Sequence, residues 1–333
     1  MKSRLFDFFP IPKRLSMHTS GVAISDRAIQ FVDFSHKKHT ELESFGEIML
    51  TDKSLDEGSI INADLFAKSL KELRDKHKLE LVEVSIPEEK SYLFKTTVLG
   101  ENIREIQNNI ELHIQENVPF KTSEIVFDFS IIGEEENGKR DVIVSVLPKV
   151  VVEQYLNAFH SAGLTPTSFQ VESQAVTQAV VPKENKDHVL VVNIQDDKVG
   201  FYIVTGQTVR FSSTVQIDTT PSEVIILDGT QRSKKDDNPY LSILVREIRK
   251  ILTYWRTHDG SKDSYSIRHI YLTGTIKEEL KMTDYIGNNI SIPVEVSNVW
   301  QNSFSFDEMI PKMKRKDSLR YSAAIGLALD DLE

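Results

Sequence analysis

Residues 189–217 read VLVVNIQDDKVGFYIVTGQTVRFSSTVQI. An apolar strand, VLVVNI, enters a polar turn, Gln195-Asp196-Asp197. A second apolar strand leaves it, and a tight Thr-Gly-Gln turn leads to a third. Residues 21–34, GVAISDRAIQFVDF, have the same plan around the turn Ser25-Asp26-Arg27, and a third strand-like stretch, ELESFGEIML, follows. Asn193 stands 170 residues after Ala23, close to half of the 333-residue chain. Each run of three strands is followed by helical periodicity. The two halves therefore read as one duplicated α/β unit.

Working outward, NADLFAKSLKELRDKHK (62–78) has helical spacing, with Leu65, Phe66, Leu70 and Leu73 on one face and Asn62 or Asp64 as its cap. LVEVSIP is a buried-type strand that ends at Pro87. SYLFKTTVL (91–99) predicts a strand, and 101–117 predicts a helix with Ile103, Ile106, Ile110 and Ile114 on one stripe. That helix stops before Pro119, because a residue preceding proline resists the helical region. EIVFDFSII and DVIVSVLP flank a hairpin loop, and KVVVEQYLNAFHSAG is a helix closed by Gly163. A polar loop, 228–239, precedes the most regular helix, whose apolar stripe is Leu241, Leu244, Val245, Ile248, Leu252 and Trp255. SLRYSAAIGLAL near the C-terminus predicts a helix of small residues able to pack closely on a neighbour.

Composition narrows the function. Net charge is −10 and pI about 5.5, against broad nucleic-acid binding, which needs a basic surface. The chain has no cysteine, which excludes disulfides, thiolate metal sites and cysteine nucleophiles. No apolar run reaches the roughly 18–20 residues of a membrane span. The N-terminal block FDFFPIP is broken by Asp7 and two prolines and does not read as a signal peptide. The nine histidines are scattered without metal spacing, and no G-x-S-x-G, HExxH or P-loop is present. Trp255 reads as core. The basic run Pro311–Lys316 and the N-terminal FDFFPIPKR read as a solvated loop and a packed arm, with contact to anionic lipid or an acidic partner as the alternative.

The order of elements resembles the actin-like ATPase fold (ribonuclease H-like), shared by DnaK-type chaperones, sugar kinases and the division protein FtsA. Within it, several stretches resemble the type IV pilus assembly protein PilM family. These are IQENVPF before EIVFDFSIIG, then DVIVSVLPKVVVEQYLNAFHSAGLTP, VESQAV and YSAAIGLAL. The family's Pro-Phe pair, strand aspartate, Ala-Gly-Leu-x-Pro and Val-Glu fall on Pro119-Phe120, Asp128, Ala162-Gly163-Leu164 with Pro166, and Val171-Glu172. Its closing helix falls on Ala323 to Leu329. The resemblance covers residues 18–331. It implies a two-lobed α/β fold with a small α+β insertion: an arm (1–17), a first lobe (18–85 and 166–188), the insertion (86–165) and a second lobe (189–333).

The resemblance also implies a cytoplasmic protein, peripheral at the inner membrane, that binds the N-terminal peptide of a PilN-like single-span membrane protein. The groove involves the insertion, and Pro119 and Phe120 are its candidate rim residues. Nucleotide-binding members of the fold hold magnesium and phosphates with two Asp-x-Gly hairpins, and adenosine with a later Gly-Gly turn. The corresponding positions here are Ala23-Ile24-Ser25, Asn193-Ile194-Gln195 and Gly274-Thr275. Alanine cannot hold magnesium or its waters, and asparagine lacks the charge. Serine and glutamine place a Cβ where backbone must approach phosphate. Asp26 and Asp196 lie in the turns and read as turn chemistry. The degenerate nucleotide site thus comprises Ser25, Asp26, Asn193, Gln195, Asp196, Gly274 and Thr275, with no catalytic residue and no metal. The expectation is a non-catalytic scaffold of a pilus, competence or secretion machine, with ATP and magnesium disfavoured. The rivals are an active ATP-binding protein whose nucleotide state controls partner binding, and an FtsA-like filament. The end GLALDDLE, which is no amphipathic anchor, weakens the filament reading.

Overall fold

The computed structural model describes residues 18–35, 38–51, 54–134, 138–217, 239–258, 266–304, 307 and 309–330. The predicted arm (1–17), the extreme C-terminus and all but the last residue of the loop at 228–239 lie outside them. The chain opens with antiparallel strands β1 (Ser20–Ile24), β2 (Ala28–Ser35) and β3 (Lys38–Met49). A ribbon of β4 (Leu55–Asp56) and β5 (Ser59–Ile60) leads to helix α1 (Ala63–His77), and β6 (Leu81–Ile86) returns parallel to β1. Next come β7 (Tyr92–Leu99), α2 (Ile103–Asn117), β8 (Ile125–Glu134), β9 (Lys139–Pro148) and α3 (Lys149–Ala162). Strand β10 (Thr165–Val171) pairs parallel to β6, and α4 (Glu172–Val180) crosses to the second half. There β11 (His188–Ile194), β12 (Lys198–Thr205) and β13 (Thr208–Gln216) are antiparallel. Helix α5 (Pro239–His258), β14 (Ile267–Gly274), α6 (Glu279–Asn289), β15 (Val294–Val296), α7 (Arg315–Ser318) and α8 (Ser322–Asp330) complete the chain.

The two large sheets have the same plan. One runs β10-β6-β1-β2-β3 and the other β15-β14-β11-β12-β13. In each, the first strand of the unit pairs antiparallel on one side and parallel on the other. The duplication read from the two polar turns is therefore present at the level of topology. Every residue of β11 is buried, as expected of a central strand covered on both faces. A third sheet, β7-β9-β8, carries α2 on one face.

Local signals explain where elements start. Asn62 caps α1 by accepting the Leu65 N–H at 3.1 Å, and Asn102 caps α2 by accepting the Glu105 N–H at 3.0 Å. Two expectations need correction. Ile103 is the first residue of α2 and 67% exposed, so the buried stripe is Ile106, Ile110 and Ile114 alone. Helix α3, placed by the sequence reading in the insertion, packs on α1 in the core of the first half. Its Tyr155 ring meets Phe66 edge-on at 5.8 Å, and its hydroxyl donates to the Gly58 carbonyl at 2.9 Å. The small residues of α8 do what their size suggests. A Cβ at Gly326 would run into the Ala175 carbonyl of α4, so the helices meet backbone to backbone.

Candidate functional site

The two polar turns face each other across the cleft between the halves. The β1–β2 turn closes with the Ser25 N–H donating to the Ala28 carbonyl at 2.9 Å. The Ser25 hydroxyl sits inside the turn, donating to the Ala28 carbonyl and accepting from its N–H, both at 3.1 Å. Asp26 points away and accepts the Gly58 N–H at 2.8 Å, fastening the β4–β5 ribbon. Across the cleft, the Gln195 N–H donates to Lys198 carbonyl at 2.8 Å. Arg27 Nε reaches Asp197 Oδ2 at 3.5 Å and bridges the turns. The cavity they enclose is about 60 Å³, against about 300–1,000 Å³ for ordinary small-molecule sites.

Ser25, Asn193, Gln195, Asp196, Gly274 and Thr275 all line this cavity, and Asp26 does not. Gly274 is retained for a local reason. Its φ is 92°, and a Cβ there would strike the Ile194 carbonyl, which accepts the Thr275 N–H at 2.7 Å. Among the described residues, no three His, Cys, Asp or Glu side chains form a group that could hold a metal.

The sequence reading missed the carboxylate at the centre. Glu172, the first residue of α4, is 6% exposed. Its Oε1 accepts from Asn193 Nδ2 at 3.0 Å and from Gln195 Nε2. Burial pushes its pKa up to about 7. The Lys198 ammonium opposes this, the Glu89 and Glu88 charges add to it, and the Asn193 hydrogen bond pulls it back. Lys198, buried at the start of β12, holds Glu89 Oε1 at 2.6 Å. Burial pulls its pKa down, but the Glu172 and Glu89 carboxylates outweigh that and hold it above its ordinary value. The only sequence signal for this cluster was Val171-Glu172, within the family resemblance, because the contacts join different elements, 21 positions apart for Asn193 and Glu172 and 109 for Lys198 and Glu89.

Two further cavities open nearby. One, of about 410 Å³, lies beside Thr275 among Tyr240, Leu241, Lys277, Lys281 and Met282. Arg249 and Lys250 of α5 do not line it. Arg249 donates to the Asn289 carbonyl at 2.8 Å, and Lys250 pairs with Glu247 at 2.9 Å. The larger cleft, about 520 Å³, lies between the three-stranded sheet and the first half. Val126 to Ser130 of β8 and Ser168 to Val171 of β10 line it as unbroken runs. Side chains alternate faces along a strand, so unbroken runs mean that the backbone edges themselves line the cleft. Both strands are the edge strands of their sheets. Leu93, Ile143, Leu147, Phe169 and Val209 supply its apolar lining. Neither Pro119 nor Phe120 lines it. Pro119 is exposed, and Phe120 packs against Tyr92 at 5.7 Å.

A family model described as Type IV pilus assembly protein PilM matches residues 21–216, more than half of the chain. The chain belongs to the PilM family. Among solved structures it is similar to one described as a PilM-PilN type IV pilus biogenesis complex. That match has 18% identity and a TM-score of 0.74 over 96% of this chain and 99% of the other. It is also similar to the cytoplasmic domain of EpsL, an inner-membrane component of the Vibrio cholerae type II secretion system. There, identity is 10% and the TM-score 0.51 over 95% and 94% of the two chains. The ethanolamine utilization protein EutJ of Carboxydothermus hydrogenoformans matches with 10% identity and a TM-score of 0.51 over 94% and 89%. These likenesses place the chain in the actin-like ATPase fold. No curated protein matches it. Among the described residues, no helix is long and apolar enough to cross a membrane.

Proposed function

We propose that this chain is a non-catalytic cytoplasmic scaffold of a type IV pilus or related competence machine. It captures the extended N-terminal segment of a PilN-like single-span inner-membrane protein, and so lies at the membrane through its partner. The carrying observation is the cleft of about 520 Å³ bordered by β8 and β10, each the outermost strand of its sheet among the described residues. An extended peptide can add to such an edge by main-chain hydrogen bonds while apolar side chains settle on Phe169, Leu93 and Val209. Family membership and the likeness to a solved PilM-PilN complex support the choice of partner. The test is titration of the whole chain with a labelled N-terminal peptide of a PilN-like protein from the same organism. Saturable binding is expected, and Ser130→Trp, an exposed change in the cleft wall, should abolish it. Equal binding by the variant would sink the placement.

The scaffold reading also holds that the cleft between the turns takes no magnesium nucleotide. Its support is the cavity of about 60 Å³ and the internal partners of Ser25, Asp26, Arg27, Asn193 and Gln195. A triphosphate would meet Glu172, Asp196 and Asp197. The cations that line the cavity are Arg27, held by Asp197, and Arg320, held by Glu47 at 3.0 Å, and the buried Lys198 behind Glu172 is held by Glu89. The rival, a nucleotide-gated protein, draws on the kept Gly274-Thr275 turn and the adjoining cavity of about 410 Å³. Calorimetric titration with magnesium ATP separates the two. No saturable heat is expected, and micromolar binding would favour the rival.

A further inference from the structure

The wall of the large cleft carries two acidic residues, Glu88 and Asp128, and no lysine, arginine or histidine among the described residues. Glu88 is the unusual one. It precedes β7 in a single 3-10 turn and is only 6% exposed. Its Oε2 accepts the Ser173 N–H at 2.9 Å, and its Oε1 lies 3.5 Å from the Ser91 hydroxyl. Burial pushes its carboxyl up, hydrogen bonds from Ser212 and Ser173 pull it down, and the Glu89 charge pushes it up again. No cation is paired with it among the described residues, and the nearby Lys198 is committed to Glu89. A buried carboxylate held by neutral donors alone is an expensive arrangement, which an opposite charge at close range relieves.

We propose that the occupant of this cleft presents a lysine or arginine side chain to Glu88, so that the partner segment is recognised by one basic residue set among apolar ones. The inference rests on the reading that the cleft holds an extended peptide. Two strand edges engage the peptide's main chain, so the group free to reach a carboxylate in the wall is a side chain. Leu93 and Phe169 take its apolar neighbours. Within such a site, pairing with a desolvated carboxylate selects the partner as well as holding it.

The experiment uses the full chain and a fluorescent peptide of about fifteen residues from the N-terminus of a PilN-like protein of the same organism. Each lysine and arginine of the peptide is replaced in turn by methionine or glutamine, and one version is N-acetylated. Against the unaltered chain, one replacement should weaken binding about tenfold or more. Against Glu88→Gln, whose folding is checked by thermal melting, that replacement should have little further effect. Three results overturn the proposal: every neutralised peptide binds as well as the parent, Glu88→Gln keeps the full discrimination, or only N-acetylation weakens binding. If the unaltered chain binds no version at all, the peptide reading of the cleft fails first.

Discussion

Replacing Glu172 by glutamine should make the protein more stable at high pH and leave it nearly unchanged at low pH. Glutamine keeps an oxygen to accept from Asn193 and Gln195 but removes the buried charge. The rise in the Glu172 pKa from 4.5 to about 7 corresponds to about 3 kcal/mol. The folded state binds this proton more tightly than the unfolded chain. Between the two values the native state therefore carries more protons, and stability falls as pH rises. Above about pH 7 the full penalty is present, and below about pH 4.5 it is absent. Lys198 remains paired with Glu89 in the variant, so no new orphan is created. For 333 residues, about 3 kcal/mol is worth roughly 4 °C in melting temperature. The assay is thermal unfolding of both proteins at about pH 5 and about pH 8. The variant should gain roughly 4 °C at the higher pH and only about one degree at the lower one, where about a quarter of the penalty is present. Titrating groups outside the Glu172, Lys198, Glu88 and Glu89 cluster cancel in the difference. A gap that is equal at both pH values, or larger at the lower, would refute the assignment of a destabilising buried charge to Glu172.

Three further outcomes are expected. Lys198→Met strands Glu89 and Glu172 without their cation and should cost about 3 kcal/mol or more near neutral pH, with a smaller loss once Glu172 is protonated; urea titrations at two pH values check this. Gly326→Ala drives a Cβ into the Ala175 carbonyl and should cost about 3 kcal/mol in the same measurement, with the helix α4–α8 contact opened. Arg27→Ala breaks a half-exposed pair 3.5 Å long, and a melting temperature within about a degree of wild type is expected, since such pairs contribute about 0–1 kcal/mol.

The duplicated plan was legible because it is written locally. A polar turn between two apolar strands, repeated 170 residues apart, fixes the first three strands of each sheet without reference to the rest. The helix stripes were legible for the same reason, and the exception is instructive. Ile103 carries the right spacing but is the first residue of the helix, at the end of the stripe, and stays 67% exposed. Helix α3 was misassigned because sequence order says nothing about which layer an amphipathic helix joins. Only Tyr155 and Phe159 meeting the α1 face decides that. At the site, the degenerate positions could be read as substitutions, but not what the new residues do. Asn193 and Gln195 look like losses until Glu172 is seen to be their acceptor.

The polar residues of the two turns thus divide by what they touch. Ser25 satisfies its own hairpin, Asp26 secures the ribbon, Arg27 and Asp197 bridge the turns, and Asn193 and Gln195 hold Glu172. Glu172 and Ser173 are neighbours at the start of α4, as Glu88 and Glu89 are before β7. Within each pair, one residue belongs to the cluster between the halves and the other lines the large cleft. Ser173 and Glu88 are themselves hydrogen-bonded at 2.9 Å. A change of charge at Glu172 or Lys198 is therefore one residue away from the wall where a cationic side chain would meet Glu88. Electrostatics in so buried a cluster is weakly screened by salt. The cluster between the turns and the cleft beside it are electrostatically linked through Glu89, whose charge pushes the carboxyls of both Glu88 and Glu172 up and holds the Lys198 ammonium.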